Sequence, residues 1–266
     1  MKKKVLVLGS TGMLGYGVSK TINSNDDFEI IYTSRKKNDS NYFDVLNSNL
    51  NNLPKTDYLI NCIGVIKPNM NKSITNAIKI NSLFPHELSD YCINNNIKLI
   101  HISTDCVYSG RKGKYIEVDL HDSLDEYGKS KSLGECSKKS MVIRTSIIGE
   151  EKYNFVSLIS WAKSMKGREV NGFTNHYWNG VTTDYFGKIC KKIISEDLYK
   201  EGLYHVYSSE DVTKLQMLYM FNDKWGLDLQ INEIEDKEMV DRTLRTNQFL
   251  NNILNLPSIE KMIKEL

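Results

Sequence analysis

A tyrosine and a lysine four residues apart suggest proton-transfer chemistry in the middle of the chain. Tyr127 and Lys131 occur in the string Tyr-Gly-Lys-Ser-Lys, and at this spacing they share one face of a helix. A free phenol has a pKa of about 10, and a nearby ammonium lowers that pKa by stabilising the phenolate. We therefore predict that Tyr127 is a general acid. We predict that Lys131 lowers its pKa and also binds the ribose of a cofactor.

A hydroxyl group precedes this pair at the end of an apolar run. Residues 101–106 read His-Ile-Ser-Thr-Asp-Cys, and the carboxyl ends of parallel strands are where open α/β sheets bind ligands. Thr104 is predicted to donate a hydrogen bond to a substrate carbonyl and so polarise it. We expect its neighbours Asp105 and Cys106 to contact the same substrate.

A glycine-rich string at the start of the chain is typical of a dinucleotide site. Residues 9–15 have the spacing GxxGxxG and lie between an apolar run and a helical pattern. Such a turn brings backbone N–H groups against a pyrophosphate at a helix N-terminus, where side chains would block the approach. The residues predicted to contact the cofactor here are Gly9, Thr11, Gly12, Met13, Leu14 and Gly15.

The end of the second predicted strand favours NADPH rather than NADH. An NAD enzyme usually has an acid there for the ribose 2′-hydroxyl, but this chain has Ser-Arg-Lys-Lys at residues 34–37. A hydroxyl and a guanidinium, from Ser34 and Arg35, suit a 2′-phosphate. Further along, Asp44 is expected to meet the adenine. The residues expected to follow the cofactor after the fourth strand are Cys62, Ile63 and Gly64.

These residues require a parallel sheet to position them. Apolar runs alternate with helical patterns through the first half, which predicts a Rossmann-like, doubly wound α/β sheet. We predict a cofactor domain over residues 1–148, joined by part of residues 180–207, and a smaller, partly interleaved substrate lobe over residues 149–266. The predicted strands are residues 4–8, 29–33, 42–45, 58–62, 99–103, 141–145 and 202–206, and the predicted helices are residues 13–22, 74–95, 156–166 and 185–195. Within residues 74–95, Pro85 must lie near a helix start or a kink.

Composition limits the other classes of function. The 266 residues carry a formal net charge of +2, too small a field to recruit nucleic acid or an anionic membrane. The five cysteines are scattered, without a metal-ligand spacing. We expect reduced thiols, a cytoplasmic location and no metal site. A homodimer is compatible with the sequence.

The motifs together resemble the extended short-chain dehydrogenase/reductase family and, within it, the dTDP-4-dehydrorhamnose reductase group. The resemblance runs through the first 150 residues and is weaker afterwards. It implies a Thr104/Tyr127/Lys131 triad and reduction by NADPH of the C4 ketone of a dTDP- or UDP-linked 4-keto-6-deoxy sugar, for surface glycan biosynthesis. It also implies that Arg242 contacts the substrate pyrophosphate. We expect Trp178, in the predicted substrate loop, to stack on the base or sugar.

Three related kinds of protein have other functions. A 4,6-dehydratase usually has Thr-Asp-Glu at the fifth strand, and Cys106 in place of the glutamate argues against dehydration. Cys106 and His176 instead match the pair that epimerase-reductases use to move protons beside the ketone; alternatively, Cys106 is a small buried residue and His176 a surface one. A non-catalytic subunit of methionine adenosyltransferase also resembles this group, although the intact triad favours an enzyme.

Overall fold

The first half of the chain alternates strands and helices. The computed structural model describes residues 2–22, 27–36, 41–151 and 155–266. Short 3₁₀ turns lie at Leu50–Asn52, Lys67–Lys72 and Asp105–Val107, and a π-helical turn at Lys79–Leu83. The elements are β1 (Lys3–Leu8), α1 (Met13–Thr21), β2 (Phe28–Tyr32), β3 (Tyr58–Asn61), α2 (Ile74–Ile78), α3 (Phe84–Asn94), β4 (Lys98–Thr104), α4 (Glu126–Leu133) and β5 (Met141–Thr145).

The second half has shorter strands. It comprises β6 (Ile147–Ile148), α5 (Leu158–Ser164), β7 (Glu169–Phe173), β8 (His176–Trp178), β9 (Val181–Thr182), α6 (Thr183–Ser195), β10 (Gly202–His205), β11 (Val212–Thr213), α7 (Lys214–Trp225), β12 (Gln230–Ile234), β13 (Val240–Asp241), α8 (Leu250–Leu254) and α9 (Ile259–Lys264). Within the described ranges, no helix is long and apolar enough to cross a membrane.

Six parallel strands form the central sheet in the order β10-β5-β4-β3-β1-β2. Strands covered by helices on both faces read as continuous apolar runs, and β3 and β5 are buried at every position. The predicted α/β fold with a doubly wound parallel sheet is confirmed. The carboxyl ends of β1, β3 and β4 lie side by side at one edge, which brings the glycine loop and Thr104 to the same side of the molecule.

The predicted strand over residues 42–45 is wrong. Residues 42–45 form a single bridge, from Tyr42 to Ser34, and no strand. Phe43 buries its ring against the sheet, so its apolar character reflects core packing. The predicted helical character of residues 74–95 is confirmed. α2, the π-helical turn Lys79–Leu83 and α3 follow one another, and Pro85 lies in the first turn of α3, the helix start where its missing N–H costs little.

The second half returns to the sheet through β10 and α6. β10 pairs with β5, and α6 packs closely against α1. A Cβ on Gly17 would lie 2.4 Å from Thr183 Cβ, and a Cβ on Gly187 would lie 1.8 Å from Thr21 Oγ1. Both glycines therefore permit a helix contact that a larger residue would force apart. The boundaries of the two predicted domains stay a prediction.

Candidate active site

The glycine loop leaves the start of α1 open to a ligand. Gly9 has a φ of +77°, and the N–H of Gly12 donates to Gly9 O at 3.0 Å. Gly12 is the N-cap of α1, and no side chain caps the helix there. The first amides of α1 thus face the cleft at the positive end of the helix dipole. Gly15 lies behind the loop, because a Cβ on it would come within 2.2 Å of Gly9 O.

The end of β2 supplies the groups predicted to recognise the cofactor phosphate. Thr33, Ser34 and Arg35 line one cavity together with Asp44, and Arg35 also lines the adjoining, larger cavity. The carboxylate of Asp44 accepts hydrogen bonds from Leu46 N and the Asn47 amide, so its own turn holds it in place. Lys37, the last residue of the basic string, lies outside the described residues.

The two cavities form one cleft along the carboxyl edge of the sheet. Their volumes are about 150 Å³ and about 430 Å³, and they share the backbone after β3. Of the predicted cofactor residues, only Gly15 is absent from the lining. The predicted cofactor residues that line the cleft are Gly9, Thr11, Gly12, Met13, Leu14, Ser34, Arg35, Asp44, Cys62, Ile63, Gly64, Tyr127 and Lys131.

Thr104, Tyr127 and Lys131 meet in the larger part of this cleft. Asp125 caps α4 by accepting a hydrogen bond from Gly128 N at 2.8 Å. Gly128 lets the helix lie against the turn after β4, because a Cβ there would be 2.2 Å from Cys106 O. This close approach brings the helix face that carries Tyr127 and Lys131 next to Thr104.

The protonation equilibria of the pair differ from the expectation. Burial raises the pKa of Tyr127, although a hydrogen bond with Thr104 opposes that rise. Lys131 donates to Ile102 O at 2.7 Å, and burial lowers its pKa to about 8. The predicted lowering of the Tyr127 pKa is therefore wrong for this structure, because desolvation of the phenolate and the nearby Cys106 and Asp105 groups raise that pKa. A protonated phenol is the form that donates a proton.

Asp105 and Cys106 line the cleft as predicted contacts of the substrate. Burial raises the pKa of Asp105, against the charges of Arg242 and Lys214. Thr104 donates to its carboxylate at 3.1 Å. Burial, together with the charge of Asp105, raises the pKa of the Cys106 thiol to about 12. A thiol with such a pKa is a poor base at neutral pH.

Three predicted substrate residues do not line the cleft. Trp178 is 4% exposed and belongs to the hydrophobic core, so the structure does not support its predicted stacking on the substrate. His176 stacks on Phe173 and lies 3.1 Å from a carboxylate oxygen of Asp236. Since Cys106 lines the cleft and His176 does not, the structure does not bring them together there.

Arg242, the third of these residues, lies close to the cleft but outside its lining. Its Nε and Nη2 donate to the backbone oxygens of Tyr108 and Ser109, at 2.9 and 3.1 Å. Its charge acts on Asp105, so it lies close to the cleft without being part of the lining.

The sequence analysis missed several residues of the cleft wall. Ser146 and Ile147 follow β5 directly, and their place after a parallel strand was an available signal. Glu151 and Ser157 lie on the way to α5 and are linked by a 2.6 Å hydrogen bond from Ser157 N. No local pattern marks this second pair.

A parallel sheet with a glycine loop and a Tyr-x-x-x-Lys helix at its carboxyl edge defines an oxidoreductase of the extended short-chain dehydrogenase/reductase type. The chain belongs to the RmlD substrate binding domain family, whose model matches residues 2–260. It is 30% identical over 217 residues to dTDP-4-dehydrorhamnose reductase of Aggregatibacter actinomycetemcomitans, covering 76% of this chain and 72% of that protein. It is 23% identical over 245 residues to methionine adenosyltransferase 2 subunit beta of Danio rerio, covering 85% and 75%.

A solved structure has the same fold. The dTDP-4-dehydrorhamnose reductase of Bacillus anthracis, in complex with NADP, superposes with a TM-score of 0.81 over 100% of this chain and 98% of that one, at 20% identity. The predicted family, fold class and oxidoreductase class are confirmed.

Proposed function

We propose that this chain uses NADPH to reduce the C4 ketone of a nucleotide-linked 4-keto-6-deoxy sugar. One observation carries the proposal: Thr104, Tyr127 and Lys131 line the same cleft as the glycine loop and Arg35. A carbonyl placed beside Thr104 and Tyr127 would have hydroxyl donors within reach, next to a groove suited to a dinucleotide.

The cleft fits NADPH on three grounds. The uncapped N-terminus of α1 offers its first amides to a pyrophosphate. Gly12 keeps the approach open, since it has no side chain where it lines the cleft. Arg35 stands at the end of β2, where a 2′-phosphate needs a cation. Asp44 would face the adenine, and Lys131 would hold the nicotinamide ribose.

The chain's own residues supply the proton and the orientation. NADPH, when bound, supplies the hydride for C4. Thr104 and Tyr127 donate hydrogen bonds to the carbonyl oxygen, which polarises the ketone. The Thr104 hydroxyl donates its hydrogen bond to Asp105 in this structure. It must redirect that hydrogen bond to the carbonyl oxygen when the substrate binds. Tyr127 then gives its proton to the developing alkoxide, and its raised pKa keeps it protonated beforehand.

Among the nucleotides predicted from the sequence, a dTDP-linked sugar is favoured. The support is the 30% identity to a relative named dTDP-4-dehydrorhamnose reductase. Arg242, which lies beside Asp105, is the cation proposed to reach the substrate pyrophosphate. We propose a role in supplying sugars for surface glycans.

The test is oxidation of NADPH with a panel of sugar nucleotides. dTDP-, UDP- and GDP-linked 4-keto-6-deoxy sugars are generated by matching dehydratases, each with and without an epimerase, and the loss of NADPH absorbance is followed. We expect turnover with the dTDP-linked member. Tyr127→Phe should reduce turnover at least about 10²-fold, the scale of a general acid, with NADPH affinity nearly unchanged. Full activity of that variant would contradict the proposal. So would a wild type that oxidises NADPH with no member of the panel.

A binding role is the second candidate, because the chain is similar to methionine adenosyltransferase 2 subunit beta of Danio rerio. The two functions separate in one experiment with purified protein. The binding role would be favoured if no sugar nucleotide of the panel caused NADPH oxidation and the chain co-eluted with a methionine adenosyltransferase catalytic subunit. NADPH turnover with a keto-sugar nucleotide, and no such co-elution, would exclude it.

A further inference from the structure

Beneath the cleft, a buried arginine uses all of its hydrogen-bond donors. Arg144, on β5, is 0% exposed, and a guanidinium carries five N–H groups. Each has a partner: Nε donates to Glu135 Oε1 at 3.0 Å, Nη1 to Tyr108 OH and to His205 Nε2 at 2.8 Å, and Nη2 to Glu135 Oε2 at 2.6 Å and to His121 Nε2 at 2.7 Å. We call these five residues the Arg144 cluster.

The arginine fixes the protonation of both histidines. Because Nε2 of each accepts from Arg144, the proton must lie on Nδ1. In His121 this nitrogen is 2.6 Å from Ser132 Oγ, and in His205 it is 2.8 Å from Arg245 O. Burial and the arginine charge lower the pKa of His121, and that of His205 to about 4. The charges of the cluster are therefore those of Arg144 and Glu135.

The Glu135 carboxylate faces two parts of the active site. Its Oε1 accepts a hydrogen bond from Ser103 Oγ at 2.5 Å, and Ser103 directly precedes Thr104 on β4 and lines the cleft. Glu135 also follows Lys131 by four residues, and its charge raises the pKa of Lys131 against the effect of burial. The Glu135 carboxylate thus contacts the end of β4, which carries Thr104, and lies close to α4, which carries the Lys131 ammonium.

Burial keeps three other groups around Lys131 neutral near pH 7. Burial raises the pKa of Cys136, which follows Glu135, and of Tyr127, on the same helix. Burial lowers the pKa of His101, on β4, far below its usual value. His86 of α3 lies behind His101 and bonds to Leu133 O at 2.7 Å. Glu135 is therefore the described negative charge that favours the Lys131 ammonium.

We propose that Glu135 and Arg144 are positioning residues for the reduction. Arg144 holds the carboxylate in one orientation, and the carboxylate holds the end of β4 through Ser103 and keeps Lys131 charged at neutral pH. This inference rests on the proposed function, both in the role of Lys131 at the cofactor ribose and in the reduction whose kcat is measured. The two tasks of the carboxylate are separable, because one uses its hydrogen bond and the other its charge.

Two substitutions separate these tasks. Glu135→Gln removes the charge and keeps the shape, whereas Ser103→Ala removes the hydrogen bond and keeps the charge. The control is Asp90→Asn, which neutralises a carboxylate in an exposed pair with Lys139, with side chains 57% and 55% exposed. NADPH affinity is measured by fluorescence titration from about pH 6 to about pH 10, across the range where Lys131 titrates, together with kcat and KM.

Each variant has its own expected result. The wild type should bind NADPH less tightly as the pH rises through about 8, where Lys131 loses its charge. Glu135→Gln should move that midpoint down by about one pH unit, the effect of removing one nearby charge. Ser103→Ala should leave the midpoint unchanged and lower kcat by about 3- to 10-fold, the fold-change of one ordinary hydrogen bond. Asp90→Asn should change neither.

Three outcomes would overturn the inference or separate it from the proposed function. A Glu135→Gln variant with a lower melting temperature and an unshifted midpoint would show that the pair only stabilises the fold. If Glu135→Gln does not fold, unchanged kcat in Ser103→Ala refutes the positioning role by itself. If the wild type binds no NADPH, the proposed function fails. NMR titration of labelled lysines, with Lys131 assigned through Lys131→Arg, then still shows whether Glu135→Gln lowers its pKa.

Discussion

Two glycines of the first loop should respond in different ways to the same added methyl group. A Cβ on Gly15 would lie 2.2 Å from Gly9 O, 2.7 Å from Gly9 C and 2.8 Å from Ser10 Cα. All three are backbone atoms, so the loop itself must move. A Cβ on Gly12 would lie 3.5 Å from Gly9 O, an ordinary contact. Its φ of −78° and ψ of 166° also suit alanine.

The expected magnitudes follow from these distances. Overpacking costs about 1–3 kcal/mol, and Gly15→Ala should be near the upper end because no side chain can rotate away. The gain in helix propensity, about 1 kcal/mol, offsets part of that cost. A net loss of about 2 kcal/mol lowers the melting temperature by roughly 4–8 °C for a protein of this size. Gly12→Ala should change the stability by less than about 0.5 kcal/mol, since its weaker helix cap and its reduced chain entropy oppose each other.

Cofactor binding should separate the variants further. The Gly12 methyl group would stand between the first amides of α1 and the pyrophosphate, and loss of one charged hydrogen bond weakens binding by about 10- to 100-fold. NADPH dissociation constants come from fluorescence titration, and melting temperatures from calorimetry. Gly15→Ala should lose both stability and affinity, whereas Gly12→Ala should lose affinity alone. Wild-type affinity in Gly12→Ala would refute the placement of the phosphate at this loop.

Three further predictions test other parts of the site. Arg35→Ala should weaken NADPH binding about 10- to 100-fold and NADH binding little, since a charged hydrogen bond to the extra phosphate contributes about 1.5–3 kcal/mol; equal losses in parallel titrations would assign Arg35 another role. The wild type should introduce no solvent deuterium at C3 or C5 of the product, because the Cys106 thiol has a pKa of about 12; incorporation seen by mass spectrometry and abolished in Cys106→Ser would restore the epimerase alternative. Stability to urea should fall as the pH drops below about 6.5, because unfolded His205 takes up a proton that the fold, with its pKa of about 4, excludes. The contribution of His205 to this loss should reach about 2 kcal/mol at pH 5, and a His205→Asn variant with the same pH slope as the wild type would contradict this cause.

The sequence predicted the chemistry best where the signal is local. The spacing of Tyr127 and Lys131 places them on one helix face wherever that helix lies. The apolar run before Gly9 and the helical pattern after it were enough to predict a glycine loop between a strand and a helix. The carboxyl ends of parallel strands share one edge, so the joint position of Thr104 and the glycine loop followed from the fold class. Their chemical roles stay predictions.

The predictions that failed depended on contacts between distant parts of the chain. An aromatic residue in a loop-rich segment has the same local pattern whether it packs inward or faces a ligand, and Trp178 packs inward. Residues 42–45 have strand-like composition, but among the described residues they form one bridge, to Ser34 just after β2. The pKa of Tyr127 depends on how fully the folded chain removes water around it, and residue spacing carries no information about that.

The amino-acid sequence by itself determined the class of fold, the cofactor loop and the residues available for proton transfer, because each depends on a period or spacing of a few residues. Only the tertiary structure decided which of them meet. It brought Arg144, on β5, and Glu135, which follows α4, into one buried pair that accepts a hydrogen bond from Ser103, next to Thr104. It also placed His176 beside Asp236 and outside the cleft lining. Burial and long-range packing set these positions and protonation states, and both arise only when the whole chain has folded.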